Sequence, residues 1–276
     1  MAELLFGTGG VPHSASDRSV LAGVRRIREL ELDCMEVEFV RGVRIKKEVA
    51  EQAGKAAAEL RVVLTCHGPY YINLNAEEPD KKEASRSRIL ETASAAQWLG
   101  AKSITFHAGF FLKQDREQVY EVIKKALAEI TSTVAQEGLE VRISPELTGK
   151  ETQFGSLEEL LRLSSEVDNI HPCIDFSHYH ARTGGAQNSY EEFCQTLEKT
   201  EKALGRQALE QLHMHVSGIN YTAKGERNHL NLPESDLKYK ELLRALKDFK
   251  VGGTLICESP NLEEDARLLK DTYIKL

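Results

Sequence analysis

The chain has 276 residues, 41% of them hydrophobic, and a formal net charge of −7. That is enough apolar content for one large α/β domain or two small ones. The acidic balance argues against a broad electrostatic grip on nucleic acid, but it leaves room for a local basic groove and omits the charge that divalent metals would add. No stretch approaches 18 uninterrupted apolar residues, and MAELLFGTGG at the N-terminus lacks the basic and long apolar regions of a signal peptide, so neither a membrane span nor a leader is expected. The five cysteines form no CxxC pair and read as reduced, buried thiols of a cytoplasmic protein.

In chain order, the first predicted strand is Glu3–Gly7. The turn after it, Gly7-Thr8-Gly9-Gly10, is rich in glycine but lacks the GxGxxG spacing of a dinucleotide fold. The second strand, Cys34–Val40, carries Glu36 and Glu38 two apart on one face, where one of them is suited to orient a ligand histidine. The third, Arg61–Cys66, runs into His67. A helix over Ala84–Leu99, with apolar residues at three- and four-residue spacing, stops at Gly100. The fourth strand, Ser103–Phe106, runs into His107. The next helix, Arg116–Glu137, opens with a capping-box pattern at Asp115–Gln118 and stops at Gly138. The fifth strand, Glu140–Ser144, precedes Glu146, and a second capping box is predicted at Ser156–Glu159. The sixth, His171–Ile174, leads to Asp175 and His178, and an irregular stretch follows near Thr183–Ser189. The seventh is Gln211–His215, followed by a second irregular stretch over Ser217–Glu234. The eighth, Thr254–Cys257, ends at Glu258.

Strict strand–helix alternation implies a parallel sheet. Eight units over about 250 residues fit a (β/α)8 TIM barrel, a single α/β domain over residues 1–276. The alternative is a doubly wound open sheet.

His67, His107, Glu146, Asp175, His215 and Glu258 follow one another at spacings of 40, 39, 29, 40 and 43 residues. These are roughly the lengths of one strand-plus-helix unit. In a barrel the C-terminal strand ends converge on one mouth, so the row becomes a ring. Alternation along the strand turns Cys66 and Cys257 outward as packing residues. A lone histidine is ordinarily a satisfied core or surface residue, but carboxylates and imidazoles buried side by side are costly without a compensating cation. Imidazole and carboxylate donors without thiolate pairs suit catalytic Zn, Mn or Fe. Three carboxylates and four or more histidines exceed the needs of one ion, so two or three are expected, with Glu146 able to bridge a pair. His213, on the face of His215 and one layer deeper, reads as core or as a support for a ligand; His180 lines the mouth; His13 is an exposed loop residue or a substrate contact.

At this point the residues resemble endonuclease IV. His67-Gly68-Pro69-Tyr70-Tyr71-Ile72-Asn73-Leu74 is similar to that family's H-x-x-Y-[apolar]-I-N-L, and Cys173-Ile174-Asp175-Phe176-Ser177-His178 to its C-I-D-T-C-H. His107-Ala108-Gly109, Pro145-Glu146, Met214-His215 and Cys257-Glu258-Ser259-Pro260 fall where its H-P-G, glutamate, M-H-L-N and E-T-P segments would fall. The resemblance runs in register along nearly the whole chain. It implies a zinc-dependent endonuclease that cuts DNA on the 5′ side of abasic sites, in a monomer with a xylose isomerase-like barrel. It also implies a first metal on His67, His107 and Glu146, a second on Glu146, Asp175, His215 and Glu258, and a third on His178 and His229. Glu146 and Glu258 would be the catalytic carboxylates, Tyr70 the aromatic that enters the base stack, and Tyr71 a neighbouring DNA contact. The chain departs from the family's D-R-H: it has Glu226-Arg227-Asn228-His229, so Glu226 can stand for the aspartate only if the spacing changes by one. Two other readings are carried. One is a sugar isomerase or epimerase of the same barrel superfamily with a single divalent metal, which would need Glu146, Asp175 and Glu258 but has less use for His67, His107, His178 and His229. The other is a barrel that binds metal or nucleic acid without turnover.

Overall fold

The computed structural model describes residues 3–276. The strands are β1 (Leu4–Gly9), β2 (Cys34–Glu38), β3 (Val63–His67), β4 (Ser103–Phe106), β5 (Arg142–Pro145), β6 (Cys173–Asp175), β7 (Leu212–Val216), β8 (Gly218–Thr222), β9 (Gly225–Leu230) and β10 (Gly253–Cys257). Eight of them form one parallel sheet in the order β5-β4-β3-β2-β1-β10-β7-β6. The two ends of that order meet. Ile143 pairs with Ile170 and Glu146 with Cys173 as isolated parallel bridges, and the Leu147 amide donates to the Cys173 carbonyl at 2.9 Å. These links close the sheet into the expected (β/α)8 barrel, the arrangement in which a parallel sheet leaves no free edge.

β8 and β9 are an antiparallel hairpin outside the barrel. They occupy most of the stretch read as irregular after the seventh strand. The segment Gly225–Leu230 is mostly polar and only partly buried, so it shows none of the apolar alternation by which a half-buried strand is recognised. Within the barrel, β3 extends to take in His67, and β6 starts only at Cys173, after Pro172, which has no amide hydrogen to give to a ladder.

Helix ends follow local chemistry. Ser156 and Glu159 form a reciprocal capping box, with the Glu159 amide donating to Ser156 Oγ at 3.3 Å and the Ser156 amide to Glu159 Oε2 at 2.9 Å. Asp115 caps its helix by accepting from the Glu117 and Gln118 amides, both at 3.0 Å, without a return bond from Gln118 among the described residues; the predicted box is only half present there. The helix predicted from Ala84 begins at Pro79, a residue preorganised for a first helical position, and ends at Gly100 with φ of 65°. Cys66 and Cys257 are buried in the apolar core, as alternation required. No helix among the described residues is long and apolar enough to cross a membrane.

The outer layer is tightly set where helices Lys47–Leu60 and Pro79–Leu99 meet. A Cβ on Gly54 would fall 2.6 Å from the Leu99 carbonyl oxygen. In an unobstructed helix, Gly→Ala stabilises by up to about 1 kcal/mol. Here Gly54→Ala is expected to destabilise, by about 1–3 kcal/mol as for other overpacked sites, read as a lowered urea midpoint. A raised midpoint would mean the two helices are free to separate.

Candidate metal centre

Every residue of the predicted ring lies at a C-terminal strand end: His67 and Asp175 close β3 and β6, His215 is the penultimate residue of β7, and His107, Glu146 and Glu258 directly follow β4, β5 and β10. Their donor atoms, together with those of His178, Glu226 and His229, make three abutting sets. His67, His107 and Glu146 form the first, Glu146, Asp175, His215 and Glu258 the second, and His178, Glu226 and His229 the third; within each set the donors lie within 4.8 Å of one another.

The second set is the deepest. Glu146, Asp175 and His215 are at most 1% exposed. Glu146 Oε1, Asp175 Oδ2, His215 Nδ1 and Glu258 Oε2, one atom from each residue, are buried and lack a well-aligned hydrogen bond; the first two share a single imidazole nitrogen, His178 Nδ1, at 3.0 and 3.2 Å. Poorly satisfied buried polar atoms are expensive, and three carboxylate oxygens and one imidazole nitrogen converging in that state make a donor set suited to a cation. On the far side of the His215 ring, Nε2 lies 2.9 Å from Glu36 Oε1. A proton held there leaves Nδ1 as a lone-pair donor, 3.5 Å from both Glu146 Oε1 and Glu258 Oε2. This is the carboxylate–histidine arrangement that fixes a ligand's tautomer. Glu36 is held in turn: Thr65 Oγ1 donates to its Oε2 at 2.7 Å, and His213 Nε2 is 2.9 Å from the same oxygen. His213 is therefore a supporting residue, and Glu36 is the strand carboxylate that orients a ligand.

The first set shares Glu146. Its Oε2 lies 3.1 Å from His67 Nε2 and 3.3 Å from His107 Nε2. His67 Nδ1 is 2.7 Å from the Gly68 carbonyl, which fixes a proton on that nitrogen and turns Nε2 toward Glu146. A neutral His67 thus sets a lone pair against a carboxylate, a contact that requires either a proton or a cation.

The third set answers the spacing question. In a regular strand, residues three apart point to opposite faces. Along the hairpin, however, Tyr221 pairs with Glu226 and Asn220 with Asn228, so Arg227 is an extra residue in a β-bulge. A bulge re-aims the side chains that follow it. It brings Glu226 and His229 to one side, facing His178: His178 Nε2 lies 3.6 Å from Glu226 Oε2 and 3.5 Å from His229 Nε2. Both imidazoles place Nδ1 3.1 Å from a carbonyl, Leu147 for His178 and Glu258 for His229, leaving each Nε2 as the donor. Glu226, not Arg227, is the hairpin residue that joins His178 and His229 in this set.

The electrostatics match. Burial disfavours the Glu258 carboxylate, but His215 and His229 outweigh it and hold the carboxyl at about 2. Burial likewise opposes ionisation of Glu146, and His107, with His178 and His215, holds it well below the usual range. Burial works against a charge on His67, yet Glu38 and Glu146 raise it to about 10. Glu38 itself is pushed up to about 8, by burial first. Without a metal, then, imidazolium must neutralise the carboxylates. The donor set fits divalent cations, which would replace those protons.

Outside the three sets, Tyr70 and Tyr71 are exposed and line a groove of about 910 Å³ with Phe110 and Leu112. Tyr70 meets His67 edge-on, with ring centroids 5.8 Å apart. His180 is buried away from the donors, with Nε2 3.1 Å from Asp236 Oδ1, so it does not line the mouth. His13 is an exposed loop residue whose Nε2 lies 2.9 Å from the Pro260 carbonyl. Glu38, grouped with Glu36 and Glu258 at the mouth, was visible in sequence only as the alternation partner of Glu36.

A family model described as "Xylose isomerase-like TIM barrel" matches residues 24–272. An uncharacterized protein of Methanocaldococcus jannaschii is 45% identical over 273 residues, 99% of this chain and 98% of that protein. A probable endonuclease 4 of Campylobacter concisus is 23% identical over 188 residues, 67% of this chain and 66% of that one. Among solved structures, a D-tagatose 3-epimerase-like protein superposes with a TM-score of 0.76 at 18% identity, covering 98% of this chain and 97% of its own, a likeness of fold alone.

Two expectations follow from the geometry. Glu36→Gln replaces the carboxylate that holds His215 with a neutral amide and should weaken metal binding about 10–100-fold in a chelator-competition titration; unchanged affinity would show that Glu36 is only packing. Metal ligands must be neutral imidazoles, whereas His67 stays protonated up to about pH 10 in the metal-free fold. Zinc loading near neutral pH should therefore expel protons into a weakly buffered indicator solution, and apparent affinity should rise with pH until His67 is neutral. Loading with no proton release would contradict this charge balance.

Proposed function

Because the chain belongs to the xylose isomerase-like TIM barrel family, we propose that within it this protein is a zinc-dependent endonuclease that hydrolyses the phosphodiester on the 5′ side of abasic sites in DNA. One observation carries the reading: three donor sets abut around the barrel mouth, two of them sharing Glu146. Divalent ions bound there would supply an activated water and neutralise the charge that builds on a phosphate during displacement. Manganese suits the same oxygen and imidazole donors.

The chain's own residues have defined parts in this reading. Glu146 holds the first two sets in fixed relation, because its two oxygens face different histidines. Glu258, kept ionised at about 2 by its histidine neighbours, is a permanent anion of the second set. Glu226 and His229 bring the hairpin to the third. Recognition of a phosphate through bound cations is consistent with a net charge of −7, which otherwise disfavours DNA. The exposed pair Tyr70 and Tyr71, beside His67, supplies aromatic surface for unstacked bases. The distant likeness to a probable endonuclease 4 supports this assignment.

A single-metal sugar epimerase is the second reading, favoured by the fold likeness to the epimerase-like structure and by the second donor set, which would suffice for one ion. It leaves His67, His107, His178, Glu226 and His229 without a role.

The test is a strand-cleavage assay on duplex DNA carrying one abasic analogue, run beside C3 epimerisation of free ketoses. Zinc-dependent cleavage at the lesion is expected. Glu146→Gln should lower it by about 10³-fold or more, since it removes a ligand common to two sets. No cleavage together with ketose turnover would transfer the assignment to the epimerase class.

A further inference from the structure

Arg182 has no place in the three donor sets, yet it is only 9% exposed. Among the described residues no carboxylate pairs with it directly; Glu159, Glu151 and Glu158 act on it only from a distance, and burial outweighs them. Its Nη1 instead faces four oxygens of one strap: Thr148 Oγ1 at 2.9 Å, the Thr148 carbonyl at 3.3 Å, the Lys150 carbonyl at 2.5 Å and the Gln153 carbonyl at 3.1 Å. A guanidinium buried without a counter-ion is costly unless its hydrogen bonds are needed where they are made.

The strap it grips forms a wall of the third donor set. The Gly149 carbonyl accepts from the Glu226 amide at 3.0 Å. Gly225, with φ of 91°, packs so closely on that carbonyl that a Cβ there would fall 2.3 Å from it. Gly149 itself has no room for a side chain: a Cβ would lie 2.7 Å from both Glu226 Cβ and Glu226 Oε2, and 3.1 Å from His178 Cδ2. Arg182 and His178 are four apart on the helix Phe176–Arg182, a spacing that places both on one face. One turn of helix thus presents a donor of the third set and clamps the strap against which Glu226 rests.

We propose that Arg182 is a positioning residue for the third cation pocket: by fixing the strap Thr148–Gln153 it sets where the hairpin carries Glu226 and His229 relative to His178. This rests on the three-ion reading of the site. Arg182 touches neither ion nor substrate. Its effect passes through the Gly149 carbonyl to the bulged strand. Its loss should therefore act selectively, on one ion of three.

The experiment is zinc stoichiometry by elemental analysis, with stepwise affinities by chelator competition, on the full chain and three variants. The wild type should hold three zinc ions. Arg182→Gln should weaken the most weakly held ion about tenfold or more, as for other residues that support a ligand from behind, and leave two bound, while Arg182→Lys, which can still donate to the strap carbonyls, should retain most of the third. Gly149→Ala leaves Arg182 intact but drives a methyl group into Glu226, so it should lose the same single ion, and it carries the test if Arg182→Gln does not fold. Three ions at unchanged affinity in Arg182→Gln or Gly149→Ala would overturn the positioning role, as would parallel loss of all three ions. Fewer than three ions in the wild type would instead overturn the three-ion reading on which it rests.

Discussion

Five carboxylates, Glu36, Glu38, Glu146, Asp175 and Glu258, crowd the mouth of this barrel, and three of them, Glu36, Glu146 and Asp175, are almost wholly removed from water. Several kcal/mol per ion is the ordinary penalty for such burial, and mutual repulsion adds to it. Much of the surrounding structure answers that constraint. Six imidazoles, of His67, His107, His178, His213, His215 and His229, lie within about one ion-pair length of a carboxylate or its neighbouring donor. Carbonyls of Gly68, Leu147 and Glu258 fix which nitrogen His67, His178 and His229 turn inward. Even so, one donor atom from each of Glu146, Asp175, His215 and Glu258 lacks a well-aligned hydrogen bond. Divalent cations are the natural complement of that vacancy in bonding, and the barrel supplies the rigidity to hold the donors in place with the opening free for a substrate.

The ring of donors was legible in the sequence because barrel geometry and strand alternation are both strict. One ligand per strand-plus-helix unit, at the same end of each strand, can only converge. The pair Glu36 and Glu38 was legible for the same reason, since alternation along β2 puts both on one face, but which of them holds His215 was not. The hairpin was not. Gly225–Leu230 lacks apolar alternation, and its function depends on a bulge at Arg227, which no periodicity reports. Read as a regular strand, the Glu226–His229 spacing sends the two donors apart; with the bulge they meet. The grip of Arg182 on the strap was equally hidden, since a basic residue near a helix C-terminus ordinarily reads as a solvated partner of the helix dipole. His180 misled in the opposite direction: proximity in sequence to His178 suggested the mouth, but the helical turn directs it to Asp236.

The second donor set has the composition to serve a single-metal enzyme, and the fold likeness to an epimerase-like protein fits that view. What separates the two chemistries is the periphery, where His67 and His107 extend the set on one side and the hairpin on the other. Fold therefore assigns the scaffold, while the assignment of reaction rests on how many cations the periphery holds.

The most direct measurement of that number is a crystal structure of the zinc-loaded protein with anomalous scattering recorded at the zinc edge. The account predicts three peaks: one among His67, His107 and Glu146, one among Glu146, Asp175, His215 and Glu258, and one among His178, Glu226 and His229. A single peak at the second set, with the outer histidines free of metal under zinc excess, would contradict it.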